Sequence, residues 1–441
     1  MANSYLSHTT STPTNSDKAT LSFWLKRSLL SSGRGVFAED TNGTNKFAFI
    51  LGSNDTISIF QETAGTVDIN LVTNRKFRDT SAWYHIVVAY DSSQGSASDR
   101  VKLYVNGSQE TSFSTSTYPS SNVDFRFNKS GIAQEIGRYE GGNYFDGYLT
   151  HVSFVDGQAL APTVFGQTDS TSGIWKFKSP SGVTWGTNGF HLKFESSGNL
   201  GLDSSGNSNT FTVNGNGRQA LDTPSNVYAT ANPLHFNATI PSAGTLSNGN
   251  LTFTSSQGGS AYPAMYSTMA VSQGKWYAEF KVTTSNSAII GIGSGIPSGG
   301  FFGGGVYDYA YYYDGTFYNN GGNTGSQSSY TDGDIISVAM DLDNNKVYVA
   351  KNNTWQHSGN PSASSGGYTI TAPSSTNTGV YHIAYGDSGG GTPTIQGNFG
   401  NGYFGTTAIS SAGSNGNGSL FEYDVPSGYY ALNTKNINTY G

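Results

Sequence analysis

Carboxylates come first in a search for chemistry, because hydrolysis of a glycosidic bond needs two of them facing one sugar at about 5–9 Å. The close acidic alternation in this chain is Asp341 and Asp343, within MDLDNNKVYV. The Asn-Asn that follows makes the stretch a strand–turn–strand, where an Asp caps backbone donors and does no catalysis. His85 and His151 each sit in an apolar, β-branched run, the setting of a strand histidine bonded to a neighbour. Serines are plentiful, yet no G-x-S-x-G elbow lies between a strand and a helix. No catalytic residue is assigned on these grounds. Asp146 in NYFDGY and Asp203 in DSSGNSN are candidate oxygen ligands for calcium, and both read more simply as Asx turns that need no cofactor.

Aromatic side chains offer a second kind of chemistry, the stacking of sugar rings or peptide side chains. In VYDYAYYYDG (306–315), Tyr307, Tyr309, Tyr311 and Tyr313 fall on one face of a strand and Tyr312 on the other. One face can enter a core while the other remains open to contact or cross-strand packing. Phe301-Phe302 lies between Ser298-Gly-Gly300 and Gly303-Gly-Gly305. Two adjacent phenylalanines in so costly a loop either dock on a partner or fold back over a sandwich edge. The loop RYEGGNYFDG (138–147) supplies Arg138, Tyr139, Glu140 and Tyr144 as a candidate contact surface.

These residues need a scaffold, and the scaffold reads as all-β. No window carries a sustained apolar repeat at helical spacing; short alternating runs end in Gly, Asn, Asp, Ser or Pro throughout. Trp83–Tyr90 and Val101–Val105 form two such runs around a polar connection, followed by an Asn106-Gly107 turn. Tyr5, Leu21/Phe23/Leu25, Val36–Phe37, Lys46–Leu51, Ile57–Phe60, Phe125–Phe127, Ala133–Gly137 and Tyr148–Val155 extend the meander. Trp24, Trp83 and Trp276 are expected as core anchors.

Of 441 residues, 35% are hydrophobic, 13% aromatic and 12% charged, which suits Ser/Thr/Asn/Gly-rich sandwiches and argues against disorder. The net charge of −7 gives no reason for nucleic-acid binding. Without cysteine there are no disulfides or thiolate sites. No apolar run approaches the roughly 18 residues of a membrane helix, so membrane insertion is not expected. The N-terminus has no basic, then apolar, signal pattern.

LSFWLKR (21–27), WYHIVVAYD (83–91), VKLYVNG (101–107), IGR (136–138) and FDGYLTHVSFVDGQAL (145–160) together resemble the laminin-G-like jelly roll of the concanavalin A-like lectin/glucanase fold. Glucanases of that fold carry an E-x-D-x-x-E run, which is absent here, and Thr150-His151 stands where the jelly roll often has acidic residues. Residues 189–213 are expected to return and complete this domain. GKWYAEFKV (274–282), GDIISVAMDLDNNKVYVAKNNTW (333–355) and NFGNGYF (398–404) resemble a SPRY domain. The expected layout is a jelly roll over 1–222, a linker over 223–234, a SPRY-like sandwich over 235–405 and a C-terminal extension over 406–441. DGQALAP, DTPSNVYATANPL and FEYDVPSGYYALNTKNINTYG resemble large structural proteins of marine tailed bacteriophages. That resemblance implies a non-enzymatic virion protein, a tail fibre, spike or capsid appendage, assembled in the host cytoplasm and released by lysis. Its partners would be other virion proteins, a host-surface glycan and further copies of itself. A polysaccharide depolymerase and a bacterial adhesin or secreted lectin are the alternative readings.

Overall fold

The computed structural model describes residues 3–236, 243–256, 262–295 and 300–441; Ser298 and Gly299 of the glycine-rich loop lie outside them. The chain divides between Gln219 and Ala220 into two units. Each is an antiparallel β-sandwich, as the alternating runs require.

In the first unit an eight-stranded sheet runs, in spatial order, Phe113–Thr117, Thr66–Thr73, Ile57–Thr63, Asn45–Leu51, Arg34–Asn42, Ala133–Ile136, Tyr5–Thr9, Thr212–Asn214. The facing six-stranded sheet runs Phe190–Leu192, Gly147–Asp156, Lys18–Arg27, Tyr84–Asp91, Val101–Val105, Ser108–Glu110. Period-two alternation sends Leu21, Phe23, Leu25, Ile86, Val88 and Leu103 inward against Phe37, Phe47, Phe49 and Ile59. The late strands Phe190–Leu192 and Thr212–Asn214 pair with Gly147–Asp156 and Tyr5–Thr9 respectively. Phe125–Phe127 is not a strand. The chain makes a 3-10 turn at Arg126–Asn128 instead, because the buried Arg126 guanidinium must reach both oxygens of buried Glu39, at 2.9 and 2.8 Å.

The outer face of the six-stranded sheet is covered as well. Residues 157–188 fold back across it, with a hairpin of Gly166–Thr168 and Trp175–Phe177. Val164, Phe165, Val183 and Trp185 cover Val87, Tyr104 and Val155. Trp24 is therefore buried outside the inter-sheet core, and Trp83 packs on Tyr148; only Trp276 is a core anchor of the expected kind.

The second unit has a seven-stranded sheet: Ala231–Phe236, Ala264–Ser267, His382–Asp387, Ala288–Gly293, Asp308–Tyr312, Thr316–Asn319, Gly322–Ser326. Its nine-stranded partner is centred on Lys275–Thr284, Ile335–Asp341 and Lys346–Lys351. Trp276, Phe280, Val338 and Met340 meet Ile290, Ile292, Tyr309, Tyr311 and Tyr385 between the layers. Residues 223–234 are not a linker but part of this unit. Tyr228 is buried with its hydroxyl 3.0 Å from Ser419, and Ala231 starts an edge strand in which Pro233 withholds no needed donor. Nor do residues 406–441 simply extend from it. Phe421, Val425 and Tyr429 pack on Tyr277, Ala339 and Tyr348, and Tyr430–Ala431 pairs parallel to Lys275–Thr284. A short helix, Thr434–Tyr440, follows, with the Asn433 side chain accepting from Asn436 N. Its sequence, TKNINTY, has no apolar repeat to announce it.

One buried ion pair tests the first core. Arg27 and Asp55 are fully enclosed at 3.1 Å, and Arg78 approaches Asp55 from outside at 2.8 Å. Asp55 also accepts from Ser31 N and has φ of 64°, a conformation Asn tolerates. Asp55→Asn keeps the shape but removes the charge and one acceptor oxygen, and leaves Arg27 buried without its anion. A loss of about 3–5 kcal/mol is expected in denaturant unfolding of the full chain; a change under about 1 kcal/mol would show that the pair is not needed.

Candidate functional site

The loop 138–147 is built on a glycine. Glu140 and Gly141 both have positive φ, 51° and 65°, and Tyr139 and Gly142 exchange two backbone hydrogen bonds of 3.1 Å, making a two-residue hairpin turn. That hairpin lies across Gly35, where an added Cβ would stand 2.3 Å from Tyr139 Cβ. Gly35 N also donates to Asn143 O at 2.9 Å.

Arg138, at the root of the hairpin, donates from Nε to Glu135 at 2.8 Å and pairs with the same carboxylate through Nη2. Those bonds raise the guanidinium pKa further above its already high value. The guanidinium carbon stands 3.7 Å from the centre of the Tyr5 ring, and Tyr144 lies 6.3 Å from Tyr5 at a tilt of 49°. Lys46 reaches both Glu62 and Glu140 at 3.8 Å, and the Glu140 side chain remains 47% exposed. Arg138, Tyr139, Glu140 and Tyr144 are thus brought together. Glu135 joins them from the strand Ala133–Ile136 that leads into the loop, and Tyr5 and Lys46 join from strands far away in sequence, where no local pattern marks them for it.

The metal candidates are placed otherwise. Both Asp203 oxygens already hold donors: His191 N of the neighbouring strand and Ser205 N on one, Ser205 Oγ and Asn209 N on the other, at 2.8–2.9 Å. Asp146 sits at the foot of the arginine hairpin, its carbonyl accepting from Ser28 N at 3.1 Å. Among the described residues no three His, Asp or Glu side chains gather as a metal cluster.

In the second unit Phe302 is wholly buried, so the pair folds back over its own sheet. Phe302 packs with Tyr266, Ile289 and Ala310, while half-buried Phe301 lies 5.2 Å from Tyr318 and 6.2 Å from Tyr262. Tyr309 and Tyr311 enter the core; Tyr312, on the opposite face, lies 5.9 Å from Tyr318. The residue that shapes this loop is Asp308, which accepts from Gly303 N and Gly305 N at 3.2 and 2.9 Å. Burial pushes its carboxyl up to about 6 against those bonds.

The sequence candidates for catalysis have structural partners. Asp341 is buried and paired with Lys275 at 3.0 Å and with the Asn344 amide, while Asp343 accepts from Gly274 N at 2.8 Å. Ser22 Oγ lies 2.9 Å from His85 Nε2, the distance of a nucleophile–base pair. The tautomer is wrong for that role. Trp175 Nε1 can only donate, and it does so to His85 Nδ1 at 3.0 Å, so the ring proton sits on Nε2 and points at Ser22.

Residues 1–164 match the concanavalin A-like lectin/glucanases superfamily. No curated protein matches the chain. The SPRY domain of human HERC1 superposes with a TM-score of 0.30 at 17% identity, covering 38% of this chain and 96% of that one. A putative carbohydrate binding protein from Bacteroides ovatus gives 0.37 at 16% identity, over 50% of this chain and 59% of that one. Domain 4 of AbnA, an extracellular arabinanase from Geobacillus stearothermophilus, in complex with arabinotriose, gives 0.26 at 16% identity, over 34% and 65%. The match spans less than two thirds of the latter two. At such scores these likenesses bear on neither ligand nor activity.

A further carboxylate escaped the sequence reading. Glu279, fully buried on the outer face of the nine-stranded sheet, accepts from Tyr277 OH at 2.9 Å and from the tail amides of Glu422 and Tyr423 at 2.7 and 2.9 Å. Burial pushes it up to about 7 in spite of these donors. Because the folded state holds the proton more tightly than the unfolded one, its contribution is full below about pH 4.5 and declines as pH rises toward 7. Glu279→Gln should flatten the fall in unfolding free energy across that window by up to one proton. An unchanged slope between pH 4.5 and 7 would refute the assignment.

Proposed function

We propose that this chain is a non-enzymatic attachment protein of a tailed-bacteriophage virion, a fibre, spike or capsid appendage, that binds host-surface glycan through its first sandwich. The observation that carries the reading is the arrangement of Tyr5, Arg138 and Tyr144 beside the exposed Glu140 carboxylate. Aromatic rings stack on the apolar face of a pyranose, and a guanidinium and a carboxylate at their edge can bond its hydroxyls. Pre-ordering by the Glu140–Gly141 turn and by Glu135 lowers the cost of holding these groups in place. The match of residues 1–164 to a lectin-containing superfamily supports the same use of the unit.

A role without chemistry is supported by the pairing of Asp341 with Lys275 and Asn344, by the bond from Gly274 N to Asp343, and by the Ser22–His85 tautomer. The virion setting rests on the stretches DGQALAP, DTPSNVYATANPL and FEYDVPSGYYALNTKNINTYG. Other virion proteins and further copies of the chain are the partners in this reading, and the half-buried surface around Phe301, Tyr312 and Tyr318 is available to them.

The test is binding of the full chain to surface polysaccharide from candidate host strains, with and without periodate oxidation. Periodate should abolish binding. Tyr144→Ala and Arg138→Ala should each weaken it at least tenfold with little change in melting temperature, a loss of about 1.4 kcal/mol or more. Gly35→Ala should do the same through the displaced hairpin. Release of reducing ends from the polysaccharide would replace this reading with a depolymerase, and binding indifferent to periodate and to all three substitutions would remove the glycan site.

A further inference from the structure

The hairpin that covers the six-stranded sheet is held over histidines. Trp175 stacks on His85 with ring centres 6.0 Å apart, and Phe177 stacks on His151 at 3.5 Å. At the base of the covering segment Trp185 stacks on His191 at 5.7 Å. The three histidines come from the strands Tyr84–Asp91, Gly147–Asp156 and Phe190–Leu192, all on the outer face of that sheet. His151 is turned into this position by a bulge, with φ of 48° and a register shift between Thr150 and Ser153.

Polar attachment of the hairpin is sparse. At one end Leu160 N donates to Thr20 Oγ1, and at the other Asp156 N donates to Trp185 O, at 2.7 and 2.8 Å. Between them the hydrogen bonds of the described residues 161–184 are internal to the segment, apart from one. That one runs from Trp175 Nε1 to His85 Nδ1 at 3.0 Å. It requires a neutral imidazole with its lone pair on Nδ1, while Nε2–H serves Ser22.

We propose that residues 161–184 form an acid-operated latch, closed by neutral His85 and His151 and released when both take up protons. Protonation places an N–H on His85 Nδ1 facing the N–H of Trp175, so the hairpin's bond to the sheet becomes a clash of donors. On His151 it places a charge beside a buried Nδ1 that has no hydrogen-bond partner. Attraction of the cation to the Phe177 face offsets only part of that desolvation.

The charged surroundings act in the same direction. His151 is the titratable neighbour that bears on His85; His191 and Lys193 bear on His151; Lys193 and Asp203 bear on His191. Asp203 alone favours a cation, and it acts on His191 and not on the two latch histidines. Burial first, and these neighbours second, bring His85 down to about 3 and His151 to about 4. With the ordinary histidine value restored on opening, the closed state is favoured in full above about pH 6.5 and loses ground as pH falls from there toward 4. Release bares Trp24, His85, Val87, Tyr104 and Val155, an aromatic and apolar face.

Amide hydrogen exchange on the full chain from pH 7 to 4, corrected for intrinsic rates, tests the latch. The opening constant of the hairpin Gly166–Phe177 should rise roughly a hundredfold per pH unit below about pH 6, the slope of two protons. The strands Lys18–Arg27 and Tyr84–Asp91 should stay protected. His85→Gln keeps an acceptor for Trp175 and a donor for Ser22 without titrating, and should cut the slope to about tenfold per pH unit. Should that variant fail to fold, His151→Leu provides the same one-proton loss. A hairpin equally protected at pH 4 and 7 overturns the proposal. So do strands that open together with the hairpin, or a slope unaltered by the substitution.

Discussion

A β-sheet has two faces, and in this protein both faces of a central sheet are apolar in each unit. The inter-sheet core consumes one face; the other must be covered by chain from elsewhere. In the first unit residues 157–188 cover Val87, Tyr104 and Val155. In the second the C-terminal stretch lays Phe421, Val425 and Tyr429 over Tyr277, Ala339 and Tyr348. Each unit is therefore three layers deep along one side, and each covering layer is irregular chain with little secondary structure of its own. Such a layer depends on a few side-chain contacts, which concentrates its stability in particular residues.

Those residues include the polar groups trapped under the covers. His85, His151 and His191 lie beneath the first, Glu279 and Asp341 beneath the second. Burial has opposite consequences for the two sets. It lowers the histidines and raises Glu279, so the first cover is strained by acid and the second by its removal. Asp341 escapes this pattern: burial pushes against its ionisation, but the Asn344 amide and Lys275 outweigh it and hold its carboxyl low. Within one chain, then, the two covering layers respond differently to the same change of pH.

The candidate contact surface follows another logic. It needs no cover, because Arg138 is satisfied by Glu135 and by the Tyr5 ring while it remains partly open to water. Half of this arrangement was legible in RYEGGNYFDG, where the glycines and aromatics mark a contact loop by composition. The other half, Tyr5 and Lys46, lies on strands whose sequence separation from the loop says nothing of their proximity. Glycines on both sides leave the Phe301-Phe302 pair free to dock outward or fold back; Asp308 gathers the amides of Gly303 and Gly305, and Phe302 lies under the sheet surface.

What the amino-acid order determined by itself was local and periodic. Alternation in ATLSFWLKR, WYHIVVAY and VKLYV decided which side chains face the core, and Asn106-Gly107 and Asp343-Asn-Asn345 decided where strands turn, because a pleat and a positive φ are properties of a few adjacent residues. Tertiary structure decided what covers the outer faces, which is why DTPSNVYATANPL reads as a linker and yet buries Tyr228. It also decided that Phe125–Phe127 turns as a 3-10 segment, since Arg126 is drawn to a Glu39 that is 87 residues away. Burial of a charge, a ring tautomer and the pairing of distant strands depend on what surrounds a residue in space. Sequence periodicity carries no record of that.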